Sequence, residues 1–478
     1  MEKLNKHPRL KISAILIQKN IMKNKLKNIL AELNNFAREK NIVAEYLLHA
    51  EKGNLIRLAN SAVSLNTSEE QIKLIVTAHR GNKLGSYSLV TNLSSVDKMK
   101  NAILAADEIS KNADEVNYEV TLKPFDNLPD DDENYDSELV SMTSSEKLDF
   151  INKAVGELES DEIKLSGIFS TGAIWEAIAN TLSDNVLFYA ISDAQVSFEL
   201  VHSKEKWEIA AGQSAVSKSD LNPQKINSEL STLLKLYQNS SPEIVKPGTY
   251  DVILSGGALA EILDMMGYIG FSGGLFKRKM SCLRDEHIDK KVFDDKLTII
   301  DDPDYRETFP RKFDLNGNKR NEFVFVENGV FKQFMWDRDS ADEFKQKETG
   351  HDVQGLSTVV LPGKKHASSF EDILENEKTT LFIPHLHYMN IVNMTEGIIT
   401  ASSRFGALIF ENGEMKIPFN FRLTDSFFNL FKNIEWISDE TVAVNTSNSY
   451  GMRAPTAALM PKFIKLKNIN IPQSNKSF

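Results

Sequence analysis

Apolar residues recur along this chain at two alternating spacings, and the order of those spacings predicts its elements. From Leu26 to Lys40, Ile29, Leu30, Leu33 and Phe36 share one side of a helical repeat, which predicts an amphipathic helix. Strand-like segments follow in "AEYLLHA", "NLIRLANSAVSLNTSEE" and "QIKLIVTAHRGNKLGSYSLV". The helical spacing returns in "SSVDKMKNAILAADEISKNA", with Ser94 or Ser95 as its N-cap. Further on, "SSEKLDFINKAVGELES" predicts another helix, three segments between Ile163 and Ala210 alternate like an antiparallel meander, and "INSELSTLLKLYQ" closes the first half as a helix.

The polar, Pro- and Gly-bearing stretch "NSSPEIVKPGTYD" (Asn239 to Asp251) predicts the main domain boundary. Beyond it, "YDVILS" predicts a strand and "GGALAEILDMMGYIG" a helix carrying Leu259, Ile262, Leu263, Met266 and Ile269. "FVFVENGVFKQFMW" and "ALIFENGEMKIPFNF" both set Glu-Asn-Gly between apolar runs, and a third Asn-Gly stands at Asn316-Gly317. Asn-Gly favours a type I′ turn, because both central residues need positive φ, so hairpins are expected here. The fold class expected is α+β, an N-terminal two-layer sheet-and-helix domain followed by a β-rich antiparallel C-terminal domain. Its parts would be a basic extension at 1–25, an N-terminal α/β subdomain at 26–125, an acidic linker at 126–140, a second α/β subdomain at 141–240 and the β-rich domain at 250–470.

Composition narrows the classes. A chain of 478 residues exceeds one ordinary core, and 41% hydrophobic with 26% charged residues is the make-up of a folded soluble protein. The net charge of −11 argues against a general nucleic-acid or membrane-surface binder. A lone cysteine, Cys282, excludes an internal disulfide and a cysteine-based zinc cluster, and fits a reducing cytoplasm. The first 25 residues hold seven basic side chains against Glu2, around the short apolar run "ISAILI". That run is too short for a signal peptide, so export is not expected, and Met22 offers a second start.

Several clusters invite chemistry. Gly270-Phe271-Ser272-Gly273-Gly274 matches G-x-S-x-G, but a nucleophile elbow needs a strand before the Ser and a helix after it. Here a helix precedes Ser272 and "GLFKRKMSCL" predicts a loop passing into an extended segment, so the glycines are expected to end the helix. In the acidic run from Asp126 to Glu138, Asp130, Asp132 and Asn134 alternate as in a calcium loop, but the Gly and Glu that such a loop needs fall on Tyr135 and Ser141. A solvated linker is expected instead. His385 and His387 would share one strand face, a start to a metal site; with no carboxylate or thiol nearby in sequence they are expected to be partly exposed strand residues. Glu261 and Asp264, three apart on a helix without a basic partner, are expected to be solvated.

Taken in order, "YDVILSGGALAEILDMMGYIGFSGGLFKRKMSCL", "LTIIDDPDYRETFPRKFDLNGNKRNEFVFVENGVFKQFMWDRDSA", "ETGHD", "TEGIITASSRFGALIFENGE" and "FFNLFKNIEWIS" resemble the TldD/PmbA family, historically called modulators of DNA gyrase. The resemblance runs over roughly residues 40 to 466. It implies one of two branches. In the TldD branch, a zinc metalloprotease, the helix after the "YDVILS"-like strand carries HExxxH and a third ligand, Cys, lies near the C-terminus. This chain has no His between His202 and His287, and its helix offers Glu261, Asp264, Met265 and Met266. Anchoring the family's C-terminal motif on "GMRAPTAALMP" puts the ligand Cys at Ser447, give or take a residue. The segment "FSGGLFKRKMSC" resembles the other branch, PmbA or TldE, the non-zinc partner.

The resemblance therefore implies a non-catalytic subunit with no catalytic or metal residue of its own, and no cofactor, zinc being carried by a TldD-like partner chain. The pair would cleave unfolded or leader-bearing peptides in the cytoplasm, with a homo-oligomer as the form of the chain alone and no nucleic acid or membrane involved. "ETGHDVQG" resembles the family's "STGHA"-like loop, which implies that Thr349, Gly350 and His351 line a peptide groove; the alternative is a plain connecting loop. Asp301-Asp302-Pro303 resembles a family turn, for which a turn-forming role suffices. Two other functions stay open: a stand-alone peptidase or hydrolase using Ser272 or the His385/His387 pair, and a regulatory or binding protein of the gyrase-modulator kind.

Overall fold

The computed structural model describes residues 8–352, 355–374, 378–447, 451–476 and 478, with side chains from Lys19 onward. The first half runs α1 (Pro8–Glu39), β1 (Val43–Ala59), β2 (Ala62–Arg80), β3 (Lys83–Thr91), α2 (Val96–Asn112), α3 (Ser137–Val140), α4 (Ser144–Val155), β4 (Ile163–Asn180), β5 (Leu187–His202), β6 (Glu208–Ala215) and α5 (Pro223–Asn239). Its strands make one sheet in the order β3-β2-β1-β4-β5-β6, antiparallel throughout. β1 lies inside it, paired with the next strand and, across a long insertion, with β4.

Alternation along those strands decides what covers each face. Ala44, Tyr46, Leu48 and Ala50 of β1 stand on the same face as Trp175 and Ala177 of β4, and α1 and α2 bury them with Leu26, Leu30, Leu33, Met99 and Ile103. Farther along that face Ile56, Phe169, Val196 and Phe198 pack on Ile151 and Val155 of α4 and Leu230 and Leu233 of α5. α4 starts on a capping box, with Thr143 and Glu146 each bonding the other's backbone N–H. The opposite face is covered at one end only, where Ile174, Ile178, Tyr189 and Ile191 meet Phe125, Phe309 and Phe313.

Two expectations are corrected here. The N-terminal helix begins at Pro8, so much of the basic extension belongs to it; Lys3 and Lys6 lie outside the described residues. From Lys19 onward the helix has an acidic partner distant in sequence. Lys19, Lys23 and Lys27, four apart and so on one helix side, meet Asp132 at 3.2 Å and Asp130 at 2.9 and 2.8 Å. The acidic run is accordingly no solvated linker: Asp131 is buried and accepts the Lys312 N–H at 2.7 Å.

In the second half, β7 (Gly248–Ser255) leads into α6 (Gly256–Ile269) and the short α7 (Gly273–Lys277). β7 lies between the strands Thr380–Ile383 and Phe463–Ile471 in a six-stranded sheet. A seven-stranded sheet holds Ile299–Asp301 in its interior, and a four-stranded sheet has His385–Asn393 at its edge. Most pairings are antiparallel, as the α+β class requires. Asn328-Gly329 takes φ of 49° and 79° and Asn412-Gly413 takes 53° and 77°, the I′ turns that their sequence predicts, though the two hairpins sit in different sheets. At the third Asn-Gly only Gly317 has positive φ, and Asp314 holds that turn through the N–H groups of Asn316 and Asn318. No helix among the described residues is long and apolar enough to cross a membrane.

Candidate functional site

The groups singled out around α6 are committed to the fold. Ser272 is the N-cap of α7, its Oγ accepting the Leu275 N–H at 3.3 Å, so a short helix stands where an extended segment was expected. Since α6 ends three residues earlier, at Ile269, the strand that an elbow requires is replaced by a helix. Asp264 is exposed as expected, and Glu261, whose side chain is 37% exposed, has partners that were not expected: it accepts the Leu386 N–H at 2.6 Å and lies 3.6 Å from His385 Nδ1. His387 Nε2 accepts from Arg404 at 2.8 Å, and burial together with that cation holds the imidazole below its usual pKa. Its lone pair is thereby spent. Cys282 is buried, and burial pushes its thiol up to about 11. The Ser447 hydroxyl bonds both backbone groups of Thr456, at 3.0 and 2.9 Å; Asn448, next to it, lies outside the described residues. Among the described residues no three His, Cys, Asp or Glu side chains converge in a metal-holding group.

The loop bearing Thr349, Gly350 and His351 turns inward. Thr349 bonds the backbone of Trp336 in both directions, Gly350 takes φ of +77°, and His351 is buried with its Nδ1 on Asp301. Asp301 is a hub. Arg320 Nη2 meets both its oxygens at 2.8 Å and the Ser357 N–H reaches Oδ1 at 2.5 Å. Burial would push this carboxyl up, but Arg320 and His351 outweigh it and hold it below the usual carboxylate range. Asp301 thus does more than form a turn, while Asp302 does form one by accepting the Asp304 N–H at 2.9 Å. The structure places His351 where it positions a loop, with its ring tilted against Phe323 at a centroid distance of 4.6 Å.

A larger opening lies on the uncovered end of the first sheet, where a cleft of about 740 Å³ runs over β2, β1, β4 and β5 beneath the loop at Gly451 to Arg453. The register sets small or polar residues side by side on this face: Thr67 beside Leu55 and Ser170, Glu69 beside Gly53 and Gly172, and Ser197 beside Ile168. Arg453 enters from the second half and lies across the paired glycines. A Cβ on Gly172 would sit 2.6 Å from its Cζ and 2.4 Å from the Lys52 carbonyl oxygen. Glycine in both strands is what lets the guanidinium approach.

From Arg453 a row of alternating charges crosses the sheet. Its Nε and Nη2 meet Asp193 at 2.7 Å each, and its N–H reaches Glu51 at 2.5 Å. Glu51 meets His49 Nε2 at 2.7 Å, His49 Nδ1 meets Glu176 at 2.8 Å, and Glu176 meets Arg311 at 2.6 Å. Burial would lower the His49 pKa, but the two carboxylates raise it to about 9. Burial would raise that of Glu176, but Arg311 and then His49 hold it at about 2. The row pins both halves together, and its Glu51 and Arg453 line the cleft. Its carboxylates and cations neutralise one another. Sequence reasoning missed this site; the available signal was glycine inside otherwise good strands, at Gly53 and Gly172.

Comparison with known proteins adds to this picture. Residues 247–472 match the PmbA/TldA metallopeptidase C-terminal domain. The chain is 25% identical over 249 residues to a metalloprotease TldD homolog of Buchnera aphidicola, covering 49% of this chain and 50% of that protein. It is 28% identical over 133 residues to a metalloprotease of Archaeoglobus fulgidus, covering 27% and 31%. The chain thus spans half or less of the length of these curated relatives. The crystal structure of TldE from Thermococcus kodakarensis shares the fold, with a TM-score of 0.79 at 19% identity over 93% of this chain and 100% of that one.

Proposed function

Because residues 247–472 form a C-terminal domain of the PmbA/TldA metallopeptidase family, we propose that this chain is the non-catalytic, TldE-like subunit of a TldD-type zinc metalloprotease. It holds unfolded or leader-bearing peptides while a zinc-bearing TldD-like chain cleaves them, in the cytoplasm. The observation that carries this reading is the commitment of Glu261, on the helix where the zinc branch bears its HExxxH, to the Leu386 N–H. Beside Glu261 stands one imidazole, His385, and the other candidate donors are engaged elsewhere: His387 gives its lone pair to Arg404, the Cys282 thiol is buried and protonated, and Ser447 closes a backbone loop. Support against the stand-alone hydrolase comes from Ser272, whose oxygen caps a helix.

Peptide hydrolysis needs an activated nucleophile and a stabilised oxyanion, which a zinc ion on the partner supplies. This chain's part is to bind and orient. The test is to mix it with a TldD-like protein from the same cell and a disordered peptide: cleavage should appear only in the mixture, stop on chelation and return with zinc. Chelator-resistant cleavage by the isolated chain would overturn the reading.

A further inference from the structure

We infer that the cleft receives its ligand as an added β-strand: an extended peptide pairs with the outer edge of β2 at residues 62–71 and turns a basic side chain toward Glu69. This rests on the peptide-holding role proposed above and gives it a place. β3 pairs with β2 only from Ile72 to Arg80, so residues 62–71 have β1 on one side and, among the described residues, no strand on the other. A free edge of this length is a template for strand addition, and ten residues reach roughly 33 Å.

The side chains of that edge fix the chemistry. Leu65 is 43% exposed and stands on the same face as Thr67 and Glu69, which line the cleft, while the bulge opposite Arg57 and Leu58 turns Val63 to the other face. Glu69 is exposed and has no cation within ion-pair distance among the described residues, since Lys52 pairs with Glu70 on the other face. Arg57, opposite Leu65, keeps a second basic residue from the apolar end. An added strand therefore sets its cleft-facing side chains first beside Leu65, then beside Glu69. The ligand is an extended segment with an apolar residue and, a few positions along, Lys or Arg.

The experiment uses the full chain without its partner and a fluorescent ten-residue peptide carrying Leu and Lys at alternate positions on one side. Saturable binding is expected. It should weaken about tenfold or more when the peptide's Lys becomes Glu, or when the protein carries Glu69→Lys, and Glu69→Lys should recover affinity for the Glu peptide. Methylating the peptide nitrogens along one edge, which removes the ladder donors and keeps the side chains, should abolish binding. Equal affinity of the methylated or charge-reversed peptide would overturn the inference, as would no binding at all. So would a dimer of the chain that Leu65→Lys dissociates with peptide affinity unchanged, since a second copy would then own the edge. None of these results touches the chelator-sensitive cleavage by the mixture, which judges the subunit role separately.

Discussion

Arg453 and Asp193 stand 260 residues apart in the chain and meet through two parallel bonds of 2.7 Å, in a niche that Gly53 and Gly172 leave open. Asp193 is fully buried, and that guanidinium is the cation it meets.

Arg453→Ala should destabilise the protein by about 3–5 kcal/mol, because it strands a buried carboxylate. Arg453→Lys should recover little, since an ammonium cannot match both oxygens. Arg453→Met combined with Asp193→Leu should recover most of the loss. Urea denaturation of the three variants checks this; a loss within 1 kcal/mol of zero (on the scale of an exposed pair, about 0–1) for Arg453→Ala would show the pair to be weak.

The charge row makes stability fall toward alkaline pH. The folded pKa of His49, about 9, lies above its ordinary 6.5, so its contribution is full below 6.5 and is lost as pH rises through 9. The loss is roughly 3 kcal/mol for this group. Denaturation midpoints measured from pH 6 to pH 9 should decline, and His49→Gln should remove the decline at the cost of lower stability at pH 6.

Lys147 should behave in the opposite sense. It is buried on α4, donates to the Asn54 carbonyl at 2.8 Å, and burial and then the Arg453 charge depress its pKa from 10.5 to about 8. Its charge costs the folded state below pH 8, and that cost disappears between 8 and 10.5. Lys147→Met should therefore stabilise the protein at pH 7 by about 1–3 kcal/mol and make no difference at pH 10.5. A destabilised variant at pH 7 would show that the bond to Asn54 outweighs the buried charge.

Ser272→Ala should leave cleavage by the assembled pair within a few fold of the parent and cost about 1 kcal/mol of stability, as for a lost helix cap. A fall near ten-thousand-fold in turnover, with the fold intact by circular dichroism, would make the serine a nucleophile after all.

What the sequence discloses is what neighbours in the chain decide. Ala44, Tyr46, Leu48 and Ala50 alternate because one face of β1 is buried, and the two Glu-Asn-Gly turns carry their own φ requirement. α7 escaped because five residues are too few to show a period. The turn of α1 from Lys19 to Lys23 escaped because the acids facing it lie at 130 and 132. The partner of Glu261 was missed for a simpler reason: it is a backbone N–H of the strand His385–Asn393, which no residue identity announces. His351 and Asp301 share a resembled loop and turn, yet only the fold shows that they touch.

The reach of Arg453 also sets a schedule for synthesis. At roughly 5–20 residues per second, the ribosome needs from about ten seconds to most of a minute to deliver Arg453 after Asp193 has been made, the two being 260 residues apart. Through that interval Asp193 lacks its cation, and in its first part, once the six strands have been made, the patch of Ile174, Ile178 and Tyr189 still lacks Phe309 and Phe313. The nascent first half is therefore the stage at which chaperones should hold this chain, and a stop codon placed before residue 309 should yield an aggregating fragment in place of a separable domain.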